Sequence, residues 1–127
     1  MSQRSFSPGG FASGVVITSS NAKTWICDVD VPIGSHATLT LIVDGRIMSS
    51  GAGAGIQRMA SVYNPTGTPV VDAVITLLGG VLAPLLSPLL GAVATLEPNG
   101  AGKVGLYIQA GTTQQVEWAG MVFGVIN

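Results

Sequence analysis

Residues 103–126 read KVGLYIQAGTTQQVEWAGMVFGVI and carry the clearest structural signal in this chain of 127 residues. Two runs rich in apolar and β-branched residues, 103–109 and 115–126, flank the turn-rich segment 110–113. Runs of this length and composition, bounded by Gly and Thr, are typical of β-strands. The sequence therefore predicts two strands here, joined as a hairpin through the loop at 110–113.

The second of these strands is apolar on both faces. Val116, Trp118 and Val122 share one parity, whereas Met121 and Phe123 take the other. Because successive side chains of a strand point to opposite faces, one set is expected in the core of the domain, with Trp118 buried. The other set needs cover from elsewhere, so Met121 and Phe123 are predicted at a protein interface.

Short runs of strand-forming residues recur through the rest of the chain. The 18 glycines and 7 prolines punctuate them regularly, and Asp44-Gly45 is expected to supply a turn or bulge. The segment 51–55 alternates Gly and Ala, which predicts close approach of another backbone. The fold class expected is all-β: a single antiparallel β-sandwich, jelly-roll-like, of about eight strands over residues 14–127. Its other predicted strands are 14–20, 24–31, 37–43, 46–50, 56–63, 70–78 and 91–97.

The run 24–31, TWICDVDV, alternates clearly. Trp25 and Cys27 fall on the same parity as two valines, so both are expected to be buried. Asp28 and Asp30 take the other face, where they are either solvated or able to bind a hard cation together.

Residues 73–96 contain no charge and are long enough for a membrane-spanning helix. Pro84, Pro88 and three glycines interrupt the stretch, which argues against a helix and for two strands joined by a loop at 79–90. Such an apolar loop either folds over its own core or is buried between subunits, and we expect the subunit contact. Its leucines are Leu82, Leu85, Leu86, Leu89 and Leu90.

Residues 1–13 have the composition of a flexible N-terminal arm. Phe6 and Phe11 are its two aromatic residues, and they are too few to order the segment by themselves. The arm is therefore either a mobile end without a role or a tether whose Phe6 and Phe11 fill pockets on a partner chain.

The composition excludes several classes of function. Only 9% of residues are charged while 47% are hydrophobic, which favours a subunit that hides much of its surface against other chains. The net charge is −1 and the five cations are scattered, so no nucleic-acid partner is expected. Cys27 is the only cysteine and His36 the only histidine, and no GxSxG motif surrounds a serine. No catalytic residue, cofactor or metal is therefore predicted, and the polar N-terminus shows no secretory signal.

The runs 43–64 and 93–127 resemble small β-sandwich structural proteins of tailed bacteriophages. The resemblance rests on the Gly45-Arg46 pair, on 54–58 and on 111–118. It implies a non-enzymatic virion protein made in the host cytoplasm. The expected role is that of a capsid decoration or cement protein, which forms a homo-oligomer, with a trimer favoured, and packs against virion proteins such as the major capsid protein. A small chain without a shaft suits this role.

The alternative role is a tail or fibre module that binds a glycan of the host surface. Such a module needs exposed aromatic side chains beside carboxylates or amides. Trp25, Tyr63, Tyr107 and Trp118 are the candidates, but the parity of the two tryptophans predicts that both are buried.

Overall fold

The computed structural model describes residues 12–78 and 91–127, which form an all-β sandwich. The fold predicted from the sequence is confirmed, and eight strands build it. They are β1 (Ala12–Thr18), β2 (Thr24–Asp30), β3 (His36–Ile47), β4 (Gly53–Tyr63), β5 (Val70–Leu78), β6 (Val93–Pro98), β7 (Lys103–Gln109) and β8 (Val116–Ile126).

The strands form two sheets in which every pairing is antiparallel. The five-stranded sheet has the order β1-β8-β3-β4-β5, and the three-stranded sheet has the order β2-β7-β6. The first strand thus lies beside the last and the second beside the seventh, while β3, β4 and β5 are neighbours in one sheet and β6 and β7 in the other. Inward-facing side chains from both sheets meet between them and form one hydrophobic core.

Trp118 is the largest fully buried side chain of this core, as its parity predicted. Its indole Nε1 donates a hydrogen bond of 2.9 Å to the hydroxyl of Thr18 on β1, which is also buried. The indole ring is therefore buried in the apolar core while its N–H group still has a hydrogen-bond acceptor.

The predicted hairpin of residues 103–126 is wrong, although both of its strands exist. β7 pairs with β2 and β6, whereas β8 pairs with β1 and β3, so the two strands belong to different sheets. The intervening segment crosses from one sheet to the other and is anchored at Ala110, which is fully buried. The sequence predicted the length of the connection between the two strands, but it did not predict which strands each of them pairs with.

The turn or bulge expected at Asp44-Gly45 is also absent, because β3 continues without a register shift through both residues. Gly45 lies directly beneath the ring of Trp118, and this close packing accounts for the glycine. The expectation of a close backbone approach in the Gly/Ala segment is confirmed at Gly53, where a Cβ atom would overlap the carbonyl oxygen of Gly45.

The apolar stretch 73–96 begins in one strand and ends in another, as predicted: β5 ends at Leu78, and β6 begins at Val93. Across the described residues, no helix is long and apolar enough to cross a membrane. β1 begins at Ala12, inside the segment assigned to the N-terminal arm. Seven predicted interface residues lie outside the described part of the chain, namely Phe6, Phe11, Leu82, Leu85, Leu86, Leu89 and Leu90.

Candidate functional site

A β-bulge in β2 places Trp25 on the protein surface, so the prediction that this residue is buried is wrong. Trp25 pairs with Tyr107, but the next aligned pair is Cys27 with Leu106, which leaves Ile26 as the extra residue. The bulge lets Ile26 and Cys27 both point into the core and turns the indole of Trp25 outward, where it is 48% exposed.

The outer face of the three-stranded sheet thereby gains an aromatic platform. Tyr107 on β7, at the centre of the sheet, is flanked by Trp25 on β2 and by Thr95 on β6 at the same level. Side chains that are directly opposite on antiparallel strands lie about 5 Å apart, so the three form one continuous row.

A carboxylate orients the indole ring. Asp28 Oδ1 accepts a hydrogen bond of 2.8 Å from Trp25 Nε1 and another of 2.6 Å from Asn99 Nδ2. Asp30, two residues further along β2, forms an ion pair of 3.3 Å with Lys103 instead. Asp28 and Asp30, which the sequence suggested as a shared cation site, thus interact with different side chains. Within the described residues, no group of three or more His, Cys, Asp or Glu side chains could hold a metal ion.

A second polar cluster borders the platform on the β6 side. Lys23 Nζ forms an ion pair of 2.7 Å with Glu97 Oε1 and lies 5.6 Å from the centre of the Tyr107 ring. Thr95 donates a hydrogen bond of 2.8 Å to the other carboxylate oxygen. The hydrogen bond from Lys23 lowers the pKa of Glu97 below its ordinary value, against the opposing effect of partial burial, and Thr95 adds to the lowering.

Gly105 on β7 lies between Asp28 on β2 and Glu97 on β6, so it separates the two polar clusters. A Cβ atom there would lie 2.7 Å from Tyr107 Cε1 and 3.2 Å from Asp28 Oδ1, so the absence of a side chain lets the tyrosine ring lie over the sheet. Beside the ring is a depression of about 360 Å³. It is lined by Lys23, Val93, Thr95, Glu97, Tyr107 and Gln109. A hollow of this size suits a small ligand.

Sequence reasoning missed most of these residues. Thr95 and Glu97 alternate with buried Ala94 and Leu96 along β6, so their parity placed them on an outer face. That pattern was visible in the sequence. Their position next to Trp25 depends on the pairing of β6 with β7, which the sequence did not reveal.

The two predicted interface residues within the described part lie on the opposite side of the molecule. Met121 is exposed and Phe123 is partly buried, and both belong to the outer face of the five-stranded sheet. They are level with Ile42 and Thr40 of β3, respectively. The apolar second face expected for β8 is therefore real.

Groups suited to nucleophilic chemistry lie apart from the aromatic platform. His36 Nε2 is 2.9 Å from Ser61 Oγ in an exposed position, and among the described residues no carboxylate orients the imidazole. Cys27 is buried in the core, and this burial raises the pKa of its thiol from 9.0 to about 11, with the charge of Asp28 adding to the shift. The thiol behaves as a core residue, as predicted.

Comparison with known proteins gives two solved structures with partial similarity. One is the tailspike protein of the Acinetobacter baumannii bacteriophage Fri1, a capsular polysaccharide depolymerase, with 14% identity and a TM-score of 0.42 over 90% of this chain. The other is the tailspike protein of Acinetobacter baumannii phage AM24, with 14% identity and a TM-score of 0.42 over 91% of this chain.

The aligned region covers 17% of the Fri1 protein and 26% of the AM24 protein. No protein-family model matches the chain, and no curated protein matches it. At this level of similarity neither tailspike fixes the fold or the function of this chain.

Proposed function

We propose that this chain is a non-enzymatic structural module of a bacteriophage tail or fibre that binds a carbohydrate on the outer face of its three-stranded sheet. The observation that carries the proposal is the exposed indole of Trp25 beside Tyr107, held by Asp28. An exposed tryptophan beside a partly exposed tyrosine, next to carboxylates and amides, is the kind of arrangement that the glycan-binding alternative required of the sequence.

The chemistry of the platform suits a pyranose ring. The apolar C–H face of a sugar stacks on an aromatic ring, while its hydroxyl groups exchange hydrogen bonds with polar groups at the edge. Here the edge offers carboxylate acceptors at Asp28 and Glu97 and amides at Asn99 and Gln109. Charged acceptors form the stronger hydrogen bonds with hydroxyl donors.

The charges around the platform favour a neutral sugar. Lys23 and Lys103 are each paired with a carboxylate, Glu97 and Asp30, which leaves the negative charge of Asp28 beside the rings. An acidic sugar would bring its own carboxylate toward this group, and like charges repel at such distances. A neutral hexose or N-acetylhexosamine meets no such barrier.

A shallow site of this size implies weak binding by a single copy. A virion carries many copies of its structural proteins, and simultaneous engagement of several sites raises the overall affinity without any new contact. The virion assignment itself is supported by the resemblance of residues 43–64 and 93–127 to phage structural proteins.

Capsid decoration is the second candidate function. It is favoured by the apolar outer face of the five-stranded sheet, where Met121 and Phe123 lie, since a cement protein must bury such a surface against other chains. Co-sedimentation of the full chain with shells built from the major capsid protein tests this role.

Binding to immobilised neutral glycans, followed by calorimetry with the best oligosaccharide, tests the carbohydrate proposal. Trp25→Ala and Tyr107→Ala are expected to weaken binding at least tenfold while the melting temperature changes little, because Trp25 is exposed, Tyr107 is partly exposed and both lie on the outer face of the sheet. Tyr63→Ala is the matched control, since Tyr63 is an exposed tyrosine on the other sheet, and it should bind like the parent chain. Equal binding by all three variants, or no binding by the parent chain, would overturn the proposal.

A further inference from the structure

The outer face of the five-stranded sheet presents a second surface, distinct from the aromatic platform. An apolar ridge crosses it from β8 to β5. The ridge consists of Ile42, Met59, Ile75, Met121 and Phe123. Ile75 is 62% exposed and Met121 is 38% exposed, so apolar side chains stand in contact with solvent. Patches of this kind mark protein contacts.

A hollow of about 420 Å³ lies beside the ridge on the same face. Its lining residues are Ser13, Gly14, Val15, Ile42, Asp44, Ala119, Gly120 and Met121. Half of these residues are Gly, Ala or Ser, so the surface is lower here than at the ridge.

The strand register fixes how ridge and hollow relate. Met121 and Ile42 are directly opposite each other and define a middle row. On β8, Phe123 lies two residues to one side of this row and Ala119 lies two residues to the other. On β4 the middle row passes through Gln57. Met59 lies on the same side of the row as Phe123, and Gly55 lies on the same side as Ala119. Large side chains thus occupy one side of the middle row, and small ones occupy the other, on two separate strands.

We propose that this face binds a second copy of the same chain around a two-fold axis that runs across the strands at the row of Met121 and Ile42. Such an axis places each strand opposite its own copy with its direction reversed. Phe123 of one copy then meets Ala119 of the other, and Met59 meets Gly55. Both contacts put a large side chain into a space left by a small one, and each occurs twice because the interface is isologous.

The charges on the central strands agree with this axis. Arg46 on β3 and Glu117 on β8 lie at one end of the face and form an ion pair of 3.1 Å. The two-fold axis brings that end against Thr38 and Val125 of the second copy, which are uncharged. No like charges of β3 and β8 are brought together, and Asp44 comes opposite the hydroxyl group of Thr40.

The size of the face is sufficient for a stable dimer. Five strands spaced about 4.8 Å apart, with about 3.3 Å per residue along them, give a flat area of roughly 700 Å². Stable interfaces bury about 800 Å² per partner, and the relief of the side chains adds to the flat value. A second copy of this chain is therefore large enough and complementary enough to cover the ridge.

Sedimentation equilibrium and native mass spectrometry of the full chain test the proposal. The expected species has twice the mass of the 12.8 kDa chain at micromolar concentration. Met59→Glu and Ala119→Phe should each raise the dissociation constant at least tenfold, the first by placing a charge in the contact and the second by filling the space for Phe123. Ala119 is exposed in the single chain, so a larger side chain there leaves the monomer folded. Ile33→Glu is the control, because Ile33 is an exposed apolar residue that lies between β2 and β3, outside this face.

A second measurement locates the axis. Met121→Cys should form a covalent dimer with a bis-maleimide of about 10 Å reach, the spacing of packed sheets, whereas Ile33→Cys should not. A monomer or trimer in solution would overturn the two-fold packing and leave the face to another partner, such as residues 1–11 or a different virion protein. A dimer that is unaffected by Met59→Glu and Ala119→Phe would overturn it as well.

Discussion

Gly45 on β3 and Trp118 on β8 face each other across their paired strands, and the indole ring occupies the space that a side chain at residue 45 would need. The same glycine presents its carbonyl oxygen to Gly53 on β4, where a Cβ atom would also overlap. The largest side chain of the core is thus accommodated by Gly45, and at the same point β3 lies close against β4 because residue 53 is also a glycine.

Gly45→Ala is expected to destabilise the domain by about 1–3 kcal/mol, the usual cost of forcing additional volume into a close-packed core. Trp118→Ala should cost about 3–5 kcal/mol, because it removes a fully buried ring. In the double variant the methyl group introduced by Gly45→Ala gains the space left by the ring, so the combined loss should be smaller than the sum of the two single losses. Urea unfolding of the four proteins measures this coupling, and strict additivity would show that the two residues do not compete for the same space.

Thr18→Val tests the polar contact of the same ring. The substitution keeps the volume of the side chain but removes the oxygen that accepts the hydrogen bond from Trp118 Nε1 at 2.9 Å. A buried donor without a partner costs about 1–3 kcal/mol. Thr18→Ser, which retains the hydroxyl group, should lose less stability. A loss in Thr18→Val no larger than that in Thr18→Ser would show that the hydrogen bond contributes no more to stability than the methyl group of Thr18 does.

Most strands could be located along the chain because strand formation depends on local chemistry, although β3 runs through the turn predicted at Asp44-Gly45. Period-two runs and Gly/Pro punctuation placed β7 at residues 103–109, where the structure also has it. The pairing of the strands could not be predicted in the same way. β7 and β8 are neighbours along the chain but belong to different sheets, because which strands pair depends on how the whole core closes.

The candidate site was missed for a related reason, which is the bulge at Ile26. An alternating strand would have buried Trp25 together with Cys27. The two adjacent apolar residues, Ile26 and Cys27, break that alternation, and both are buried in the structure. This break was the only local sign that Trp25 lies on the outer face. By contrast, Met121 lies on the face opposite to Trp118 and Val122, as its parity predicted, since the alternation of β8 is not interrupted there.

Cys27 should be unreactive in the folded protein. Burial is the main cause of the rise in its pKa to about 11, so very little thiolate exists in mildly alkaline buffer. A disulfide reagent such as dithionitrobenzoate is expected to modify Cys27 fully in concentrated guanidinium but at most slowly in buffer. Rapid modification of the native chain would show that the thiol is accessible.

The same shift gives stability a pH dependence of defined sign. The folded pKa lies above the unfolded value, so the contribution of Cys27 is complete below about pH 9 and is lost as the pH rises through about 11. Cys27→Ala lacks this titration, and its stability should fall less steeply between about pH 9 and pH 11. Parallel profiles for the two proteins would contradict the assignment.

Glu97 should keep its charge in mildly acidic solution. The hydrogen bond from Lys23 lowers its pKa below 4.5, so stability and sugar binding that depend on the carboxylate persist through pH 4.5 and decline as the pH falls through the lower folded value. Lys23→Met removes the bond, and the midpoint for the Glu97 carboxyl should move upward. NMR titration of the Glu97 side chain measures both values directly. An unchanged midpoint in Lys23→Met would show that the ion pair does not set the pKa.

Gly105→Ala separates the geometry of the aromatic platform from its composition. The new Cβ atom would lie 2.7 Å from Tyr107 Cε1, 3.2 Å from Asn99 Cβ and 3.2 Å from Asp28 Oδ1, so the tyrosine ring must move and the groups that hold Trp25 must shift with it. The end of the ring belongs to a side chain that is partly exposed and can move, so the loss of stability should lie at the low end of the usual range of about 1–3 kcal/mol. Sugar affinity should nevertheless fall at least tenfold, because stacking requires the two rings to share one orientation.

Gly100→Ala is the control for stability: Gly100 has a φ of 86° and open space around it, so alanine there strains the backbone without touching the rings. Retained affinity in Gly105→Ala, with a displaced Tyr107 verified by crystallography, would mean that the sugar does not stack on this tyrosine.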